Sequence, residues 1–558
     1  MIIMENTMKR FSIIALATAT LAAGLHGQAG RGGGGGWSTS RADAQRTGWV
    51  RTDSLISVES LQKPGFGLEW TVKAGHSPRE VLSEGVSGNT TQLDPAPGNV
   101  AGSGNNLYGY EVDTGYLTWT KHFDVAGTAP APTAACPGGM TAGVTRPTML
   151  TQTVTGAGPG RAGGAGGVGY TGGVGQPGEG VPAAFFVRAG RGGGRGGSGL
   201  GGLAGAGAGG GSGRGVIAGG GGGAAGASGG RVGLRGEAAN AYVISSDGVL
   251  HTIGQQQGKE TAQPVPFLPA NANATGTILV DQILYATTIN GCGGVPNGVW
   301  SIGIGLPKPY PPFKTGASPV GEIAFSSNGT LFVAIGDGTA GADGYSDAIV
   351  ALDPQHLTVR DWFTLPGASF ATGPVIFDHA GHELVAAATK DGRVFLLDAS
   401  KPGGADHKTA LAVSAATTTS KTWSPSALAT WEDGAQNRWL LVPSVASKGG
   451  ITAFKVAGDA AKPTLQRAWT SSSDMASPSA PVVVNGVVFA LNNGSATSPA
   501  VLYALDGLTG KELWNSGRTI TSFVRSAGMW AMNGGVHVAT SDATVYGFGF
   551  AADRHPVR

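Results

Sequence analysis

Leu502-Tyr503-Ala504-Leu505-Asp506-Gly507-Leu508-Thr509-Gly510-Lys511-Glu512-Leu513-Trp514 decides the fold. Alternation from Leu502 to Asp506 is strand grammar, Thr509-Gly510 supplies a turn with a residue free to take positive φ, and a second strand ends in an indole. An earlier copy is Leu107-Tyr108-Gly109-Tyr110-Glu111-Val112-Asp113-Thr114-Gly115-Tyr116-Leu117-Thr118-Trp119, with Gly115 and Trp119 in the same frame as Gly510 and Trp514.

Weaker copies start at Leu250, Val299, Ile349, Val394, Ile451 and Val545. From Leu250 onward the starts recur about every 50 residues, the period of propeller blades. The longer first step shortens to the same range once residues 156–236 are set aside. Ahead of the units lie further hairpins, such as Pro481 to Ala490 around Asn485-Gly486 and Ile323 to Val333 around Asn328-Gly329. Two hairpins make a four-stranded blade, and a lone blade leaves both faces bare, so blades must stack around an axis. The sequence therefore predicts an all-β, eight-bladed β-propeller of four-stranded antiparallel blades. The last unit ends near Phe550 with no final Trp strand. The spare strand around Leu68 and Trp70 is expected to complete the eighth blade and remove an exposed edge.

Domain boundaries follow. Met8, Lys9 and Arg10 precede an apolar run from Phe11 to Leu25, and Gly27 and Ala29 offer a cleavage site, so residues 1–29 read as a signal peptide. Residues 30–48 read as a linker, 49–155 as the closing strand and first blades, 237–550 as the remaining blades and 551–558 as a tail. Residues 156–236 are dominated by Gly and Ala with scattered Arg, and Glu179 is their only acid. Such a stretch buries too little apolar surface to offset its ordering entropy, so a disordered insert is expected. The signal implies a periplasmic or secreted protein, and no later segment is long and apolar enough to span a bilayer. With a net charge of +2 the chain has no strong field for nucleic acid or anionic lipid. Cys136 and Cys292 are the only cysteines. An oxidising compartment permits a bridge between them, but the sequence leaves their pairing open.

The unit resembles the tryptophan-docking repeat of the pyrroloquinoline quinone family, Ala-x-Asp-x-x-x-Gly-x-x-x-Trp, carried by Ala504, Asp506, Gly510 and Trp514. The resemblance covers roughly residues 50 to 550 apart from the insert. It implies the propeller fold, whereas function stays open, because that family includes quinone-dependent alcohol and sugar dehydrogenases as well as non-catalytic scaffolds. The dehydrogenases carry two adjacent Cys beside the quinone and a Glu, Asn and Asp set on calcium. This chain has no adjacent Cys pair, no acidic set that maps residue by residue, and no haem-attachment motif. No catalytic residue is carried over.

Other clusters read as turns or loops. Asp378-His379-Ala380-Gly381-His382-Glu383 has the composition of a metal site but occupies the turn position of Asn485-Gly486. Asp337, Asp343 and Asp347 share a Gly-rich loop without the ligand spacing of a calcium loop. The Arg-Gly stretches Gly190-Arg191-Gly192 and Gly194-Arg195-Gly196 are similar to RNA-binding tails, a partner that export argues against. The function expected first is an exported, monomeric, non-catalytic binding or scaffold propeller with a protein or envelope partner, no metal site and no cofactor. The alternative is a divergent quinone-dependent alcohol or sugar dehydrogenase using pyrroloquinoline quinone and Ca2+. A third option is a surface or adhesion protein that uses the insert.

Overall fold

In the computed structural model the described residues are 37–75, 80–87, 97–125, 131–150, 240–305, 308–338, 345–416, 427–444, 450–472, 475, 478–525 and 528–551. The expected signal peptide, the insert and nearly all of the tail lie outside them. The described chain is an eight-bladed β-propeller with almost no helix.

Each repeat start found in the sequence falls on the third strand of a four-stranded blade, except Leu250, which falls on the middle strand of the three-stranded blade 2. Blade 1 runs Val86–Ser87, Pro97–Gly102, Asn106–Glu111 and Leu117–His122. Blade 2 comprises Asn240–Ile244, Val249–Gly254 and Val265–Pro266, with Thr145 bridging Tyr242 on its inner side. Blade 3 begins at Ala274–Val280, blade 4 at Pro319–Phe325, blade 5 at Val375–His379, blade 6 at Ala429–Glu432 and blade 7 at Val482–Val484. Blade 8 has three C-terminal strands, Met529–Met532, Gly535–Ala539 and Thr544–Phe550. Its outer strand is Phe66–Lys73, antiparallel to Thr544–Phe550, so a strand from before blade 1 closes the ring. A shared sheet removes the open edge that the last hairpin would otherwise present.

Indoles on the outer strands lock neighbouring blades. Trp70 lies across Gly547 of its own blade and reaches Gly115 of blade 1. Trp119 lies across Gly109 and reaches Gly258 of blade 2, its Nε1 donating to Gln255 O at 2.8 Å. Trp469 pairs with Ala453 and reaches Gly510 of blade 7, its Nε1 donating to Gly507 O at 3.0 Å. The receiving glycines share one turn: Gly115, Gly258 and Gly510 have φ of 69°, 66° and 71°, and each N–H bonds the carbonyl four residues back. Asp506 fixes that turn by accepting the N–H groups of Leu508 and Thr509. Ala504 is small and buried because Trp514 crosses over it, and Trp514 itself meets Phe66 and Phe548 of blade 8. At the blade 4 to blade 5 junction His407 (φ 59°) takes the glycine position, and Trp362 stacks on its ring at 4.0 Å.

A β-bulge falls beside Trp119, Trp469, Trp514 and Trp70, at Thr118, Ala468, Leu513 and Glu69, and two residues before Trp362, at Arg360. Bulges re-aim side chains, here turning the indole toward the next blade. The five Trp-bearing outer strands run from four to eight residues. Among the described residues blades 2, 3 and 5 show no such indole, and their outer strands, Val265–Pro266, Phe313–Lys314 and Ala412–Val413, have two residues each.

Substitutions separate packing from backbone strain. A Cβ on Gly510 would stand 2.5 Å from the Trp469 ring, whereas one on Gly367, also at positive φ, meets nothing within 4 Å. Gly367→Ala should cost about 1 kcal/mol for its backbone alone. Gly510→Ala should cost clearly more, and Trp469→Ala about 3–5 kcal/mol. Urea unfolding followed by tryptophan fluorescence measures all three; equal losses for the two glycine variants would remove the docking account.

Candidate functional site on the propeller axis

The axis is filled by the chain itself. Residues 37–48, read above as linker, are almost wholly buried. They circle the inner strands in blade order. Ser87 N of blade 1 donates to Trp37 O, and Arg146 N on the inner side of blade 2 donates to Ser38 O. Thr39 Oγ1 donates to Thr277 O of blade 3 at 3.0 Å. Phe325, Ile376, Thr430 and Val483, from blades 4 to 7, donate their N–H groups to the carbonyls of Ala44, Gln45, Thr47 and Gly48 at 2.8–3.0 Å. Trp49–Val50 then pairs parallel with blade 7, and Asp53 accepts Gly534 N of blade 8 at 2.8 Å. The correction to the linker reading has a physical cause: inner strands have a bare edge toward the axis, and this segment bonds to blades 1 to 7 there, while Pro147–Thr148 also pairs along blade 3.

The segment is built for a narrow space. Ser38, Ser40, Ala42, Ala44 and Gly48 are small, and Arg41, Ala42 and Arg46 take φ of 61°, 77° and 61°, bending the chain sharply. Asp43 accepts Thr47 N and Oγ1 at 2.9 and 2.6 Å, closing one turn. Both guanidiniums are caught by carbonyls. Arg41 Nη2 donates to Pro481 O at 2.6 Å and Leu428 O at 3.3 Å. Arg46 donates from Nε to Ile323 O at 2.8 Å and from Nη2 to Gly276 O at 3.2 Å, and pairs with Glu322 at 3.1 Å. Glu84 of blade 1 accepts Trp37 Nε1 at 2.9 Å, Arg41 N at 3.1 Å and Ser40 Oγ at 2.6 Å. Burial pushes its carboxyl up to about 7 despite Arg41, with Glu322 adding to the rise. The cavity left between Arg41, Arg46, Glu322, Val375 and Leu428 is about 10 Å³, the room of one water.

The sequence reading singled out none of Arg41, Asp43, Arg46, Glu84 or Glu322. The available signal was two Arg and an Asp among small residues between a Gly run and the closing strand.

Elsewhere, the metal candidates are not brought together. Among the described residues no group of three or more His, Cys, Asp and Glu side chains could hold a metal ion. His379 and His382 face each other across a hairpin turned by Ala380 and Gly381, while Glu383 accepts Ser327 N and Oγ of the preceding blade. Asp337 pairs with Lys390, and Asp347 caps Gly367 N and Ser369 N; Asp343 lies outside the described residues.

A hydrogen-bonded chain absent from the sequence reading links Ser245 Oγ to His251 Nε2 at 3.0 Å and His251 Nδ1 to Glu260 at 2.9 Å. It has the order of a nucleophilic triad, but Ser245 is 3% exposed and also donates to Asp247. Ser326, Thr389 and Thr540 make the same hydroxyl-to-Asx turn without a histidine, so Ser245 closes a turn. His537, buried between blades 8 and 1 against Tyr110 and Trp70, is pushed down to about 3 by burial. Cys136 and Cys292 form a disulfide.

The fold and its filled axis place the chain among large closed propellers, and solved structures of that class match it. A quinohemoprotein alcohol dehydrogenase from Comamonas testosteroni is 13% identical, with a TM-score of 0.52, covering 94% of this chain and 82% of that one. A quinohemoprotein alcohol dehydrogenase from Pseudomonas putida HK5 is 12% identical, with a TM-score of 0.57 and coverages of 95% and 82%. A europium-containing methanol dehydrogenase is 10% identical, with a TM-score of 0.54 and coverages of 93% and 99%. Identities this low establish a shared fold. No family model matches the chain, and no curated protein matches it.

Two buried groups give opposite pH slopes. Glu84 binds its proton more tightly folded than unfolded, so its contribution falls as pH rises from 4.5 to about 7. His537 stays neutral when folded, so its contribution is full above 6.5 and is lost as pH falls toward about 3. The two offset each other between them. The stability of Glu84→Gln relative to the parent should therefore grow by about 1.4 kcal/mol per pH unit across the Glu84 window. Urea unfolding at pH 4.5, 5.5 and 6.5 checks this; a pH-independent difference would contradict it.

Proposed function

We propose that the chain is an exported, non-catalytic member of the pyrroloquinoline quinone-like repeat propellers, acting as a monomeric binding or scaffold module in the periplasm or outside the cell. The observation that carries this reading is the axis, where residues 37–50 lie among the described inner strands and leave a cavity of about 10 Å³ between Arg41, Arg46 and Glu322. A cofactor-sized ligand needs roughly 300 Å³ or more. The carboxylates nearby are committed: Glu84 to Trp37, Ser40 and Arg41, Glu322 to Arg46, and Asp43 to Thr47. The residues on the axis thus do not fit a quinone and its metal. The two cysteines are joined across a separation of 156 residues, unlike a ring of adjacent cysteines. An envelope or protein partner fits the expected export signal. No helix among the described residues is long and apolar enough to cross a membrane.

The second reading, a divergent quinone-dependent alcohol or sugar dehydrogenase, draws its support from the fold shared with the dehydrogenases named above. Incubating the purified chain with pyrroloquinoline quinone and Ca2+, then desalting, separates the two. The scaffold reading expects no stoichiometric quinone retained and no dye-linked oxidation of alcohols or sugars. A tight one-to-one complex that turns over would replace it with the dehydrogenase reading. A pull-down from the envelope fraction, with and without residues 156–236, identifies the partner and the part of the chain that binds it.

A further inference from the structure

Among the described residues blade 2 is the least tied of the eight. Thr145, on its inner side, and Asn240–Ile244 are separated in the chain by residues 146–239, and Thr145 and Tyr242 exchange the two backbone hydrogen bonds that join them. Blade 5, by contrast, pairs five residues of its first strand with its second. Blade 2 also has a two-residue outer strand and no indole to lodge in blade 3. Long chain separations close at a higher entropic cost than short turns, and weakly bonded units open first.

What reaches blade 3 instead is the stretch leading into blade 2. Cys136 is bonded to Cys292 in blade 3. Beside it, Ala135 O accepts Asn273 Nδ2 at 3.1 Å and Asn290 Nδ2 at 2.9 Å, and Thr141 Oγ1 accepts Ala274 N at 2.8 Å. Residues 131–135 and Pro137 are exposed and Cys136 is half-buried, whereas Cys292 is 4% exposed. Cys136 is therefore the more approachable of the two residues.

We propose that the Cys136–Cys292 bond is a redox latch that takes the place of the missing indole at the blade 2 to blade 3 junction, so that reduction opens blade 2 while the rest of the ring stays closed. A thiolate of a dithiol reductant attacks Sγ of Cys136. The S–S bond breaks, and Cys292 leaves as a thiolate and takes a proton. The reductant's second thiol then displaces Cys136 as a thiol, so the pair gains two electrons and two protons while the reductant becomes a disulfide. Three side-chain hydrogen bonds and the short parallel pairing of Pro147–Thr148 with Leu279–Val280 then hold the strap to blade 3, and blade 2 keeps its single inner bridge.

Hydrogen-exchange mass spectrometry on the full chain tests this, oxidised and after a dithiol reductant under native conditions, with Cys136→Ala as a second route to the unlatched state. Protection should fall about tenfold or more over residues 145–148 and 240–254 and change less than about twofold over blade 6, residues 429–457. Unchanged exchange in both the reduced protein and the variant would overturn the latch, as would an equal rise around the ring. Opening in Cys136→Ala alone, with the native bond resistant to the reductant, would also overturn it, leaving a permanent staple.

Discussion

Every inner strand of a propeller has one edge facing the axis, and buried N–H and C=O groups there need partners. In this protein one segment meets most of that demand, and Pro147–Thr148 pairs along the inner strand of blade 3. From Trp37 to Asp53 the chain bonds to the eight blades in ring order, with Arg41 and Arg46 reaching carbonyls that its backbone misses. The same stretch continues through a one-turn helix, Val58–Leu61, into the outer strand of blade 8. One piece of chain therefore satisfies the centre and closes the rim. The cost is three non-glycine residues at positive φ and a carboxyl, Glu84, buried against its solvation.

The rim obeys a second constraint, which is unevenly met. An indole packs between blades only where the outer strand is long enough to carry a bulge that turns it outward. Among the described residues five blades have that strand and three do not. Where the indole is missing, other contacts join the blades. Tyr285 of blade 3 packs on Phe325 of blade 4 and donates to Pro354 O, Arg438 of blade 6 donates to Asp378 O of blade 5, and the disulfide crosses from the entry of blade 2 to blade 3. Blade 2, which takes its first and second strands from either side of residues 151–239, is the one joined covalently to its neighbour.

The blade count and the closing strand were legible in the sequence because third strands repeat a local pattern: alternation, an Asx turn and a glycine at positive φ. Leu502 to Trp514 shows all three. The pattern fades where another residue does the same job, as His407 does for glycine or Ala412–Val413 for a full strand, yet the period still placed those blades. The axis was not legible. Ser38 to Gly48 has no periodicity, because its partners alternate among blades rather than along one strand, and polar small residues read the same in a linker as in a tight buried thread. The buried charges were hidden for the same reason: Glu84 and Glu322 gain their roles only from Arg41 and Arg46, remote in sequence and adjacent on the axis.

That difference bears on function. A propeller ordinarily offers its axis as the place where several blades can converge polar groups on one ligand. Here those groups converge on two arginines of the same chain, bonded to carbonyls of blades 3, 4, 6 and 7. To admit another molecule, the axis would have to give up these bonds together with the backbone hydrogen bonds of residues 37–48, each worth about 1 kcal/mol net and far more if left unmade in a buried site. Under the proposed binding role, recognition would fall to the loops and the rim, where exposed side chains such as Tyr116, Tyr310 and Leu508 stand on turns and strand ends.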